Sequence, residues 1–220
     1  IFLLIMAKNR TKTRRLMTVE IDISPKMTPA QVHAVFIIVP RFNITTLITM
    51  IEAMRIANYL APAPIFSWEI ASFDGKKITA SNGMTTTVEV ADDTLRPAEF
   101  AFVLGSWGTE HYANKHLITL LRKRNRAGTR ICGVELGCYI VARAGLLDGK
   151  PATIHWSWLN GFRETFDRVD VRKGLFTLDS KVMTCAGGLA GVDLMLRLIE
   201  ELQGSSFSGE IADQMLHHPI

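Results

Sequence analysis

Arg130-Ile131-Cys132-Gly133-Val134-Glu135-Leu136-Gly137 is the stretch on which the fold reading turns. A β-type run, Thr129–Val134, enters a tight Gly-x-Glu-x-Gly turn, and a helical stretch, Cys138–Ala144, leaves it. This is the pattern of a nucleophile elbow, in which flanking glycines let one side chain sit on a sharp strand-to-helix turn at the mouth of a parallel sheet. The apex here is Glu135, neither Ser nor Cys. The turn therefore keeps the shape of a site without the usual nucleophile, and binding is the first expectation, catalysis the second.

Upstream, Val35–Val39 reads as a fully buried strand closed by Pro40, and Thr45–Tyr59 repeats apolar residues at helical spacing (Leu47, Ile48, Ile51, Met54, Ile56). Phe66–Phe73 alternates as a strand, Gly75 and Asn82-Gly83 mark turns, and Met84–Val90 reads as a further strand in an edge hairpin or excursion. Phe100–Gly105 is a second buried strand, followed by a loop with Trp107 and a helix near Thr109–Arg126. Its basic end, Arg122, Lys123, Arg124 and Arg126, suits the negative pole of a helix better than a nucleic-acid patch. Downstream of the elbow come short strands at Val169–Val171, Leu175–Leu178 and Lys181–Cys185. Gly187-Gly188 then opens a long helix, Ala190–Leu202, and a shorter one follows at Ser206–His217. Strands alternating with helices predict a mostly parallel sheet covered on both faces, with the loops after Val39, after Gly105 and around Glu135 gathered at its ligand-binding edge.

A chain of 220 residues, 48% apolar, has material for one ordinary domain with a real core. The longest apolar runs, Ile1–Ala7 and Val35–Pro40, fall far short of the ~20 residues of a membrane span. The opening Ile1–Met6 precedes its basic residues, the reverse of a secretory signal. Residues 1–32 read as a flexible or cloning-derived extension, with Met17 and Met27 as alternative starts. The net charge of +4 is misleading, because Lys8, Arg10, Lys12, Arg14 and Arg15 lie in the acid-free first fifteen residues and leave the remainder one unit negative. That remainder is not a basic DNA reader. Cys132, Cys138 and Cys185 have no metal-ligand spacing and are odd in number, which points to a reducing cytoplasm with neither metal nor cofactor.

The run Gly133–Gly149 resembles a known family when taken with Ala152-Thr153-Ile154-His155-Trp156, with Met183–Gly188 and Asp193, and with Ile51–Asn58. It looks like the N-terminal sensor domain of AraC-family transcriptional regulators, which is similar to the class I glutamine amidotransferase and PfpI superfamily. The likeness covers roughly residues 33–218. It implies a flavodoxin-like α/β domain over 33–220 that senses a small metabolite, forms a homodimer, and meets DNA only through a C-terminal helix-turn-helix domain, which is absent from this chain. Thr184–Gly188 and Ala212–His217 look closest to regulators of quaternary-amine and basic amino-acid catabolism, such as those sensing glycine betaine, carnitine or arginine. The PfpI-type enzymes carry Cys followed by His at the elbow, where this chain has Glu135 and Leu136. His155, twenty positions on, matches a His that neighbours the elbow in that superfamily. Thr46 stands roughly where catalytic relatives have an acid.

An elbow aims the start of its helix at the ligand and favours an anionic group, while Glu135 favours a cation. Together they describe a zwitterion. Trp107, and Trp156 or Trp158, are candidate aromatic faces for an ammonium, typically worth ~0.5–2 kcal/mol per contact; Trp68 reads as core. The expected ligand set is Gly105, Trp107, Glu135, Leu136, Gly137, His155 and Trp156, joined by Phe42, Asn43 and Thr46 after the first strand, whose competing reading is turn and helix-cap chemistry. Gly187-Gly188 reads as an anion cradle or as a close helix-sheet approach. Two alternatives remain: a hydrolase with Glu135 as carboxylate nucleophile and His155 as base, and a redox sensor at Cys138, whose competing reading is a buried packing thiol.

Overall fold

The structure, a computed structural model, describes residues 32–218. Of the predicted extension, only Val32 lies among them, and it is the first residue of a strand. In chain order, β1 (Val32–Ile38) leads through α1 (Ile44–Leu60) to β2 (Phe66–Ser72). A small hairpin, β3 (Ile78–Thr79) and β4 (Thr85–Thr86), precedes β5 (Val90–Ala91) and β6 (Phe100–Gly105). Next come α2 (Lys115–Arg126), β7 (Arg130–Glu135) and α3 (Gly137–Arg143). β8 (Pro151–Ala152), α4 (Leu159–Thr165), β9 (Asp170–Val171), β10 (Phe176–Leu178) and β11 (Val182–Cys185) follow, and α5 (Ala190–Gln203) and α6 (Ser205–Gln214) end the described part.

The main sheet has the order β10-β11-β7-β6-β1-β2-β5 and is parallel except for β10 on β11. Alternation along β1 explains the layers: Ala34, Phe36 and Ile38 face one core with α1 and α5, while Val35, Ile37 and Val39 face another with α2 and α3. α1 starts where the Asn43 side chain accepts from the Thr45 and Thr46 amides, and it buries Thr46, Leu47, Met50, Ala53, Met54 and Ala57 at helical spacing. Among the described residues no helix is long and apolar enough to cross a membrane.

Three expectations are revised. Met84–Val90 is not one strand: Thr85–Thr86 closes the hairpin, and β5 begins only at Val90, on the sheet edge beside β2. The helix expected over Thr109–Arg126 is broken, because Thr109–Tyr112 forms a 3₁₀ turn and Asn114 then caps α2 by accepting from the Leu117 amide. Two of the basic residues ending α2 do more than complement its dipole. Arg124 donates to the carbonyls of Leu95 and Arg96, and Arg122 to that of Ala144, tying α2 to its surroundings.

Candidate functional site

The polypeptide turns from β7 into α3 at Glu135, which takes the left-handed conformation with φ of 53°. For a residue with a side chain this costs roughly 1–2 kcal/mol. Gly133 and Gly137 have no positive φ; their role is close approach. A Cβ on Gly133 would stand 2.8 Å from the Cys138 Cα, and one on Gly137 would collide with the Val103 carbonyl of β6. The strain of the elbow thus rests on the glutamate, and the glycines let α3 and β6 close around it.

Glu135 lies opposite Gly105 in the β6–β7 register, so the loop after β6 reaches it directly. Ser106 Oγ donates to Glu135 Oε1 at 2.8 Å. Glu135 Oε2 is buried and has no hydrogen-bond partner among the described residues. Gly187, with φ of 87°, packs against the same side chain, and a Cβ there would come within 2.8 Å of Glu135 Cβ and 2.9 Å of Oε2. Burial pushes the Glu135 carboxyl above its ordinary range; Ser106, then Asn43, then the nearby His155 pull it partly back. Asn43 acts here as a neighbouring dipole, since no hydrogen bond from it reaches Oε2.

The other expected residues divide into two groups. Trp107 and Trp156, 59% and 74% exposed, follow Ser106 and His155 in the chain and hold their side chains largely in solvent. His155 is half-buried, with Nδ1 at 2.8 Å from Ser157 Oγ and its ring tilted on Trp156 at 5.6 Å. Phe42, by contrast, is fully buried in the α1-side core and is a packing residue. Thr46 is also buried, and its Oγ1 accepts from the Gly188 amide at 2.7 Å, so it clamps the Gly187-Gly188 turn. Of its two glycines only Gly187 is a close approach, against the Glu135 side chain, whereas at Gly188 a Cβ would meet nothing within 4 Å and the left-handed φ of 60° is what favours glycine. Leu136 buries its side chain in the α2-side core, and its amide donates to the Gly105 carbonyl at 3.0 Å. The amide that follows an elbow's apex is therefore engaged within the protein. α3, at seven residues, is too short to present a developed dipole.

Trp158 meets Tyr139 edge-on at 6.3 Å, and Trp68 packs half-buried on the core, as its reading required. Cys138 is fully buried, its Sγ donating to the carbonyls of Gly133 and Thr153, both at 3.3 Å, and burial pushes its thiol far up. A redox sensor needs an accessible, acidified thiol; Cys138 is instead a packing residue. Among the described residues no three His, Cys, Asp or Glu side chains gather as a metal site. Ser106 and Gly187, the nearest partners of Glu135, were missing from the expected ligand set. A cavity of about 370 Å³ opens elsewhere on the same edge, beyond β6, and none of the expected ligand residues lines it.

A mostly parallel α/β domain with a glutamate at the tip of its strand-to-helix elbow is the class of protein that the fold and the site define. The chain belongs to the DJ-1/PfpI family, whose model matches residues 32–201. It is similar to the HTH-type transcriptional regulator CdhR of Pseudomonas aeruginosa, 33% identical over 181 residues, covering 82% of this chain and 54% of that protein. GbdR of the same species is 31% identical over 185 residues, covering 84% and 50%. The chain spans about half the length of these curated relatives. In fold it resembles the crystal structure of an AraC family transcriptional regulator from Pseudomonas putida, with a TM-score of 0.75 at 22% identity, covering 84% of this chain and 99% of that one.

Proposed function

We propose that this chain is the ligand-sensing and dimerisation domain of a transcriptional regulator, and that it holds a small zwitterionic or cationic metabolite at Glu135 without transforming it. Betaine, carnitine and amino acids are the chemical models for that ligand. The reading takes the regulator role from the similarity to CdhR and GbdR, and DNA contact is assigned to sequence outside this chain. One observation carries the ligand class: a half-buried carboxylate with one oxygen held by Ser106 and the other buried without a donor. An ammonium or guanidinium would supply both the charge and the hydrogen bond that Oε2 lacks. The exposed rings of Trp107 and Trp156, which follow Ser106 and His155 in the chain, are the aromatic faces assigned to that cation. Non-catalysis is supported by the carboxylate at the apex and by the engagement of the Leu136 amide with Gly105, since acyl chemistry uses that amide to hold an oxyanion.

The alternative, a hydrolase with Glu135 as nucleophile, draws on His155 lying within electrostatic reach of the carboxyl. Native mass spectrometry separates the two readings. Adding glycine betaine, carnitine, choline or arginine is expected to give a non-covalent adduct of unchanged ligand mass. A covalent adduct on Glu135 after exposure to ester or amide substrates would favour the hydrolase.

A further inference from the structure

In the main sheet the chain runs from β1 outward to β2 on one side and then to β6 on the other, so the strand order reverses between β1 and β6. The helices that follow these two strands, α1 and α2, lie on opposite faces. Loops diverging at such a point leave a crevice at the carboxyl edge, the usual place for a small ligand in an open α/β sheet. The cavity of about 370 Å³ stands beside it, built from the end of β1 (Ile37–Pro40), the loop after β2 (Phe73–Ile78), and the segment from Tyr112 to Leu117 that starts α2. Its volume is within the range of small-molecule pockets.

Its walls are chiefly apolar, formed by Val39, Pro40, Ile78 and Leu117 together with Phe73 and Tyr112. Two of its charged groups pair with each other and a third is held by a histidine. Lys76 Nζ lies 2.9 Å from Asp74 Oδ2, and Asp92 Oδ1 lies 2.8 Å from His116 Nε2. His116 in turn meets the Phe73 ring edge-on at 5.5 Å, which holds that side of the cavity together. Lys77 also lines the cavity and forms no ion pair among the described residues. The first turn of α2, capped by Asn114, borders the same space with its positive pole.

We infer that this cavity is a second ligand site, distinct from Glu135, that takes a small organic acid with an apolar or aromatic body, its carboxylate set against Lys77 and its body between Leu117, Val39, Phe73 and Tyr112. The charge preference is opposite to that proposed at Glu135, so one metabolite would not fill both sites by the same contacts. A sensor domain with two such sites would respond to an acid and an amine separately. The inference stands on the cavity alone and does not require the regulator reading.

The test is a ¹H–¹⁵N titration of the full chain with phenylacetate and with its neutral isostere phenylacetamide. Phenylacetate is expected to shift the amides of Val39, Lys77, Tyr112 and Leu117 saturably, with phenylacetamide weaker by about tenfold, the scale of one charge-assisted contact. Lys77 is exposed, so Lys77→Glu should keep the melting temperature and lose phenylacetate binding by at least about the same factor. Glu135→Gln should bind phenylacetate as the parent does. Shifts that do not saturate or lie away from the cavity, equal binding of the amide, or a Lys77→Glu variant that binds as the parent does would each overturn the proposal.

Discussion

Ser106 Oγ donates a 2.8 Å hydrogen bond to Oε1 of Glu135, across the last rung of the β6–β7 register, where Gly105 faces Glu135. This bond fixes the rotamer of a strained residue and leaves the second carboxylate oxygen pressed toward Gly187. Both the stability of the domain and its proposed recognition chemistry follow from it.

Ser106→Ala removes the largest influence holding the Glu135 carboxyl down. Loss of this partly buried, charge-assisted bond should cost about 1–3 kcal/mol at neutral pH. Urea unfolding of the variant and parent checks this, and the difference should shrink in acid, where Glu135 is protonated.

The folded chain holds the proton of Glu135 more tightly than the unfolded chain does, because burial raises its folded value. An acid raised in this way contributes stability below the unfolded carboxyl value and loses it as pH rises through the folded one. Glu135→Gln should therefore be more stable than the parent at about pH 8 and gain less at about pH 4, measured as melting temperature across that range.

Gly187 cannot accept a side chain. Gly187→Ala adds a Cβ 2.8 Å from Glu135 Cβ at a φ of 87°, and the clash and strain together should destabilise by about 2–4 kcal/mol. In a Glu135→Gly background the clash is removed and only the strain remains, so the same substitution should cost roughly half as much. A double-mutant cycle of unfolding free energies reads the coupling directly.

All three cysteines are free and buried, and burial raises every one of their thiols, that of Cys185 to about 12. The native protein should be silent toward a thiol reagent such as 5,5′-dithiobis(2-nitrobenzoate), and each cysteine should react once the chain is unfolded. Rapid labelling of Cys138 in the folded state would restore the redox reading.

The sequence carried the fold because its strongest signals are local. Val35–Val39, Phe100–Gly105 and Thr129–Val134 are apolar runs bounded by turn residues, and the structure pairs them as neighbouring parallel strands. What it carried poorly depends on tertiary partners. Pro151–Ala152 is a strand only because it pairs with Asp170–Val171, and nothing in its two residues announces that. Asn114 breaks a helix that periodicity alone would have continued. At the site, Glu135 was legible from its flanking glycines, whereas Ser106 and Gly187 reach it from loops 29 residues before and 52 residues after. Phe42 and Thr46, 93 and 89 residues before it, were expected at the site but spend their side chains on the core and on Gly188. The cavity of about 370 Å³ joins three separate segments, and no single motif points to it.

Isothermal titration of the parent and Glu135→Gln with glycine betaine, carnitine, choline and arginine tests the central claim most directly. The account predicts that at least one of these binds the parent, more tightly as pH rises through the Glu135 value, and that Glu135→Gln, with a melting temperature no lower than the parent's, loses that binding. Silence of the whole panel on folded protein, or equal affinity in the variant, would contradict it.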